Sequence, residues 1–92
     1  MSERRLQRSP DVVFDLVVDR AILLDGAGAE LITLNAVGTV VWHEIDGRRD
    51  AGELAADLVD RFVDVGVDEL RTDIAAFLDE LAALGLVVDA PT

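Results

Sequence analysis

The segment AILLDGAGAELITLNAVGTVVW, residues 21–42, decides the fold class of this 92-residue chain. Residues 21–24 and 30–34 are short apolar runs, and the glycines between them, at 26 and 28, are typical of a hairpin loop. The same glycines do not form a phosphate loop, because a strand and not a helix follows them. Asn35 is a good helix N-cap, and apolar or small residues then recur at helical spacing, at positions 37, 38, 41, 42 and 45. A hairpin that leads into a helix predicts an α+β fold.

Upstream of this segment, the sequence predicts one more strand. Val12, Phe14, Leu16 and Val18 alternate with their neighbours at the period of two expected of a half-buried strand. Together with residues 21–24 and 30–34, this strand predicts a three-stranded antiparallel sheet. Residues 1–10 are polar and basic, and we expect a flexible N-terminal arm there, followed by a single domain over residues 11–89.

Downstream, the pattern predicts two more helices. Asp50, with Glu53 three residues later, resembles a capping box and begins the second helix, which runs to Phe62. Asp68 is expected to cap the third helix, and Gly85 to end it before a short extended piece at 86–88. The predicted inner face of the third helix consists of Leu70, Ile74, Phe77, Leu78, Leu81 and Leu84.

Composition and charge exclude several classes of function. The net charge is −11, which argues against binding to nucleic acids or to anionic membranes. The chain has no cysteine, so disulfides, thiolate catalysis and cysteine-ligated metals are excluded. No apolar run approaches the ~20 residues of a membrane span. We expect a soluble, cytoplasmic, acidic domain without a cofactor or a metal site.

The inventory of reactive side chains predicts a protein that is not an enzyme. His43 is the only histidine, and its position on the first helix predicts a solvent-exposed side chain beside Glu44. The hydroxyl residues share no motif with it. The second helix carries a continuous acidic face, which is typical of a hydrated surface or of docking on a basic partner. This face consists of Glu53, Asp57, Asp60 and Asp64.

The predicted third strand, residues 30–34, is the strongest candidate for a binding element. As the last of three sequential strands it is expected at a sheet edge, and it has no proline and only one charge. Such an edge aggregates, is covered by the protein's own helix, or accepts a peptide strand. The pattern alone leaves these three outcomes open.

Residues 21–87 resemble the PqqD family, the small precursor-peptide recognition domains of ribosomal peptide natural-product pathways. The resemblance depends on an ordered set of segments and on their spacing. The set consists of AILLD (21–25), Leu34-Asn35 with AVGTVVW (36–42), Ile45-Asp46-Gly47, DAGELAADLVDRF (50–62), VDELRTDIAAFLDEL (67–81) and Leu84-Gly85-Leu86.

The resemblance implies a winged helix-turn-helix-like fold that does not bind DNA. It implies that the leader segment of a precursor peptide adds as a strand to the third strand, beside the third helix. The peptide is then presented to a modifying enzyme such as a radical SAM enzyme or a leader peptidase. The implied peptide-binding residues are Glu30, Leu31, Ile32, Thr33 and Leu34 on the strand and Arg71, Ile74, Phe77 and Leu78 on the helix.

Two alternatives stay open beside this interpretation. One is an acidic structural or regulatory protein that docks on a basic partner without any leader peptide. The other concerns oligomeric state, because the strand edge could pair with a second copy or exchange strands with it. On the leader-peptide interpretation, a proline at Ile32 removes a main-chain donor and is expected to weaken peptide binding more than folding.

Overall fold

The computed structural model describes residues 5–24 and 31–90. Its strands are β1 (Leu6–Arg8), β2 (Val13–Val17), β3 (Arg20–Leu24), β4 (Leu31–Thr33) and β5 (Val87–Asp89), and its helices are α1 (Ala36–Glu44), α2 (Ala51–Leu58) and α3 (Val67–Ala83), with a 3₁₀ turn at Val59–Arg61. Strands β2, β3 and β4 form an antiparallel sheet in that order, and the three helices follow. The predicted α+β fold class is therefore confirmed.

The turn between β2 and β3 has only two residues, Val18 and Asp19. Val18 has a φ of 63°, in the left-handed region that β-branched residues rarely adopt, and it is 95% exposed. Because this turn is strained, it does not by itself favour the hairpin. The register, in which Val17 lies opposite Arg20, depends on the strands on either side.

Ala21 connects the central strand of the sheet to α1. Its N–H donates to Thr39 Oγ1 at 2.9 Å, and its carbonyl accepts from the Leu34 N–H, also at 2.9 Å. Ala21 and Thr39 are both buried, so the hydrogen bond between them replaces the hydrogen bonds that each group would make to water. The two bonds hold the inner face of the sheet against the first helix.

The helices pack around one apolar core. The Asp50–Glu53 capping box at the start of α2 has both of its hydrogen bonds, as the sequence predicts. Helix α3 instead begins with Gly66 as its N-cap, so Asp68 lies in the first turn, where its negative charge suits the helix dipole. The largest fully buried side chains are Trp42, Leu23, Leu54, Leu58, Leu70, Ile74, Leu86, Val41 and Val87.

The prediction of a flexible arm over residues 1–10 is wrong for Leu6–Arg8. These residues form β1, which pairs antiparallel with β5, and the Leu6 carbonyl also accepts from the Gly47 N–H at 3.0 Å. Leu6 is buried in the core, which offsets the entropy lost by ordering the segment. The guanidinium of Arg8 lies 5.1 Å from the ring centre of Phe14 and 5.7 Å from that of Trp42.

Arg49 stabilises the corner between α1 and α2. Its guanidinium donates to the Glu44 carbonyl at 2.7 Å, to Asp57 at 3.0 Å and to Asp46 at 3.2 Å. Burial alone would lower the pKa of Arg49, but the hydrogen bond to Asp57 and the nearby carboxylates outweigh it and raise that pKa. The Arg48 N–H has the largest effect and lowers the pKa of Asp46; the charge and hydrogen bonds of Arg49 lower it further, and burial opposes them.

The bond between Ala21 and Thr39 can be tested by substitution. Thr39→Val keeps the shape of the side chain but leaves the buried Ala21 N–H without an acceptor. We expect the free energy of unfolding to fall by about 1–3 kcal/mol, measured by urea denaturation. Thr39→Ser keeps the hydroxyl, so we expect a clearly smaller decrease in its free energy of unfolding. Equal losses in the two variants would contradict a specific role for this bond.

The lowered pKa of Asp46 predicts a pH dependence of stability. Asp46 stabilises the fold above its unfolded-state pKa, near 3.8, and this contribution is lost as the pH falls through the lower folded-state value. Asp46→Asn is therefore expected to be less stable than the unsubstituted chain at pH 6, by less than about 1 kcal/mol because the side chain is partly exposed. The difference should shrink as the pH falls below about 3.8. Asp60→Asn serves as a control that removes the same charge, and a difference for Asp46→Asn that stays constant as the pH falls from 6 to well below 3.8 would contradict the prediction.

Candidate functional site

Strand β4 is an edge strand with β3 as its only strand neighbour among the described residues. Ile32 lies opposite Leu23, Thr33 opposite Ile22, and the Leu34 N–H bonds to the Ala21 carbonyl. Hydrogen-bonded and non-bonded pairs alternate in an antiparallel ladder, so the main chain of Ile32 faces β3. The N–H and C=O groups of Leu31 and Thr33 therefore point away from the sheet, at the free edge.

This alternation corrects one expectation from the sequence. A proline at Ile32 would remove a donor to β3 and break the sheet, because the Ile32 N–H does not face the free edge. The sequence ELITL is apolar on both faces and does not reveal which residues face outward. The residues that present donors to the edge are Leu31 and Thr33.

The opposite edge of the sheet, β2, is partly blocked. By the same alternation, the main chain of Leu16 faces away from β3, but its N–H donates to the Asp15 carboxylate at 2.8 Å. Charged side chains on an edge strand are a common protection against pairing with another strand. The two edges of the sheet thus differ: the outward N–H of Leu16 on β2 is occupied, although that of Phe14 also faces outward, whereas on β4 no side chain among the described residues occupies the outward donors of Leu31 and Thr33.

A cavity of about 260 Å³ lies between α1 and α3, close to the end of β4. Residues of α1 and α3 supply most of its wall, and Asn35, two residues after β4, lies at its rim. The Asn35 side chain accepts from the Gly38 N–H at 2.7 Å and so caps α1. The lining residues are Asn35, Val37, Gly38, Val41, Asp73, Ile74 and Phe77.

Gly38 allows α1 to approach α3 closely at this cavity. A Cβ atom at residue 38 would lie 3.3 Å from the Phe77 ring and 3.2 Å from Asn35 Oδ1, both tight contacts. A glycine inside a helical pattern is the one sequence signal that could have indicated this approach. The sequence pattern assigned Gly38 to the inner stripe of α1 and did not identify a cavity beside it.

The structure distributes the predicted site residues among edge, cavity and core. Glu30 lies outside the described residues, and Leu31, 72% exposed, and Thr33 lie at the edge of β4. Ile74 and Phe77 line the cavity, with Ile74 buried and Phe77 half-buried. The other four are outside the cavity wall: Ile32 is half-buried on β4, Leu34 and Leu78 are buried in the core, and Arg71 is exposed on α3. Their binding of a peptide stays a prediction.

The acidic face predicted for the second helix is not continuous, because α2 ends at Leu58, Asp60 lies in the 3₁₀ turn and Asp64, with a φ of 63°, lies beyond it. The predicted face is also partly neutralised within the chain. Arg5 lies 3.3 Å from Glu53, and Arg49 lies 3.0 Å from Asp57. These pairs leave Asp60 and Asp64 as the two members of the face without an ion pair among the described residues. The face is therefore less negative than the sequence suggests.

Two further classes of site are absent from residues 5–24 and 31–90. No group of three or more histidine and carboxylate side chains there could hold a metal ion. Within the same residues, no helix combines the length and the apolar character needed to cross a membrane. His43 is exposed, as expected, and its ring packs edge-on against Phe14, with 5.9 Å between the ring centres.

The difference between the two sheet edges can be tested through self-association. Asp15→Ala frees the Leu16 N–H, and we expect it to increase dimer formation through β2, measured by sedimentation velocity over a range of concentrations. Asp19→Ala removes the same charge from the neighbouring turn and is the matched control. If both variants associate equally, net charge and not the blocked donor controls association.

A protein-family comparison covers most of the chain. The family model described as coenzyme PQQ synthesis protein D (PqqD) matches residues 20–87. This range contains β4, the cavity and α3. No curated protein matches the chain.

Two solved structures share the fold. TbiB1 in complex with the TbiA(beta) leader peptide has a TM-score of 0.77 at 23% sequence identity, over 88% of this chain and 93% of that one. Lasso peptide synthetase B1 complexed with the leader peptide has a TM-score of 0.78 at 20% identity, over 91% of this chain and 98% of that one. At these identities the similarity concerns the fold.

Proposed function

Because the chain belongs to the PqqD family, we propose that it is a non-enzymatic module that binds the leader segment of a ribosomally synthesised precursor peptide. The observation that carries this proposal is the free edge of β4 beside a cavity, within the part of the chain that matches the family. Both structural neighbours are complexes with leader peptides, which supports the same class of ligand.

The proposed mode of binding is strand addition to β4, beside α3. Leu31 and Thr33 would each offer one N–H and one C=O to an extended peptide, and the alternate side chains of the peptide would give specificity. A disordered leader loses conformational entropy on binding, so main-chain bonds and a few side-chain anchors must offset this loss. The preformed edge reduces the cost because β4 is already ordered by β3.

The module would then present the bound leader to a modifying enzyme, such as a radical SAM enzyme or a leader peptidase. Presentation requires no chemistry from the module itself. The net charge of −11 favours encounter with a basic peptide or a basic enzyme surface. The alternative of acidic docking without a peptide is less well supported, because Arg5 and Arg49 already pair with Glu53 and Asp57, the two members of the predicted acidic face that lie on α2.

Strand addition can be tested at Thr33. Thr33→Pro removes an N–H at the free edge and leaves the pairing of Ile32 with β3 intact. We expect at least about tenfold weaker binding of a synthetic leader peptide, measured by calorimetry, with a loss of less than about 1 kcal/mol in the free energy of unfolding. Thr33→Val keeps the donor and should bind as the unsubstituted chain does. Unchanged binding by Thr33→Pro would exclude pairing at this position.

An amide-resolved NMR titration with leader peptides encoded by small reading frames beside the gene tests the proposal as a whole. Saturable shifts concentrated at residues 31–34 and along α3 are expected. Asp60→Asn, in the 3₁₀ turn after α2, is expected to leave the affinity unchanged. A strong loss in Asp60→Asn, with no shifts at β4, would instead support docking through the acidic face.

A further inference from the structure

The cavity between α1 and α3 has the size of a site for one side chain. Its volume of about 260 Å³ is below the ~300–1,000 Å³ of pockets that hold whole small molecules. Buried Val41 and Ile74 contribute to its wall, whereas Asn35, Val37 and Asp73 are exposed. The cavity thus combines an apolar interior with a polar rim.

Asp73 gives this rim a negative charge. The side-chain oxygen of Asn35 plays no comparable role, because it belongs to a neutral amide and already accepts from the Gly38 N–H. Asp73 takes part in no ion pair among the described residues. The α1 N-terminus, close by, carries only about half a positive charge, which the Asn35 cap reduces further, so the full charge of Asp73 dominates.

Phe77 adds a second feature that suits a cation. It follows Asp73 by four residues, so the two side chains lie on the same face of α3, and both line the cavity. An aromatic ring attracts a cation above its face, and a guanidinium can contact a ring while it bonds to a carboxylate. A purely apolar side chain in the cavity would remove part of the water around the exposed Asp73 carboxylate without replacing its hydrogen bonds.

We propose that this cavity binds an arginine side chain of the captured peptide, with the methylene stem on Val37 and Ile74 and the guanidinium between Asp73 and Phe77. This inference rests on the proposed function. Asn35 lies two residues after Thr33, about 7 Å along the chain, so a strand on β4 passes the cavity within reach of one side chain. The cavity therefore selects, among leader peptides, those with a basic anchor at one position.

Selection from a displayed library of random linear peptides tests this preference even where the natural ligand is unidentified. The full chain is used as bait, in parallel with Asp73→Asn and with Asp79→Asn, an exposed position on α3 outside the cavity. We expect peptides selected by the unsubstituted chain and by Asp79→Asn to share an arginine at one fixed position. Peptides selected by Asp73→Asn should show no preference for arginine at that position.

A double-mutant cycle then measures the contact directly. Citrulline has nearly the shape of arginine but no charge. In the best peptide, this replacement should weaken binding to the unsubstituted chain about fivefold to tenfold and leave binding to Asp73→Asn nearly unchanged.

The outcomes separate this inference from the proposed function. Selected peptides that bind at β4 but carry an aromatic or aliphatic anchor would overturn the arginine site and leave leader binding intact. Equal effects of citrulline on both proteins would overturn it as well. If no peptide from the library binds at β4, both the arginine site and strand addition fail.

Discussion

The hydrogen bond from the Ala21 N–H to the Thr39 hydroxyl is the constraint on which the arrangement of the candidate site depends. Strand β3 bonds to β2 on one side and to β4 on the other, so its position fixes both edges of the sheet. Thr39 fixes that strand against α1, and Asn35 both follows β4 and caps α1. The Ala21–Thr39 and Leu34–Ala21 hydrogen bonds therefore connect the free edge of β4 to α1, which lines the cavity.

The two edges of the sheet, β2 and β4, differ in which main-chain donors are available for pairing with another strand. At β2, Asp15 occupies the outward N–H of Leu16, and a strained valine turn ends the strand. At β4, the outward groups of Leu31 and Thr33 stay available. An edge strand of three residues is too short to be a strong template for aggregation, yet it is long enough to pair with a peptide that other contacts anchor.

Much of the fold could be predicted from the sequence because it depends on local signals. The segment at 21–42 contains a hairpin and a helix cap, and Asp50 with Glu53 marks the next helix start. Strand β1 was not predicted, and β5 was predicted only as a short extended piece. A strand of three residues carries no clear periodicity, and the pairing of β1 with β5 is long-range. The outward residues of β4 were ambiguous because ELITL is apolar on both faces. The position of Asp73 at the cavity could not be predicted from the sequence, because it depends on how α1 packs against α3.

The pairing of β1 with β5 has a mechanical consequence. The Ala90 N–H bonds to the Arg5 carbonyl, so the two ends of the described chain lie side by side at the same end of an antiparallel ladder. A force that pulls these ends apart loads the hydrogen bonds one after another, as in a zipper, and not all together in shear. We therefore expect a low unfolding force when the domain is pulled at these two ends, independent of its stability to heat or urea. Because Leu6 is buried in the core, detachment of β1 removes a core side chain at the first step of forced unfolding.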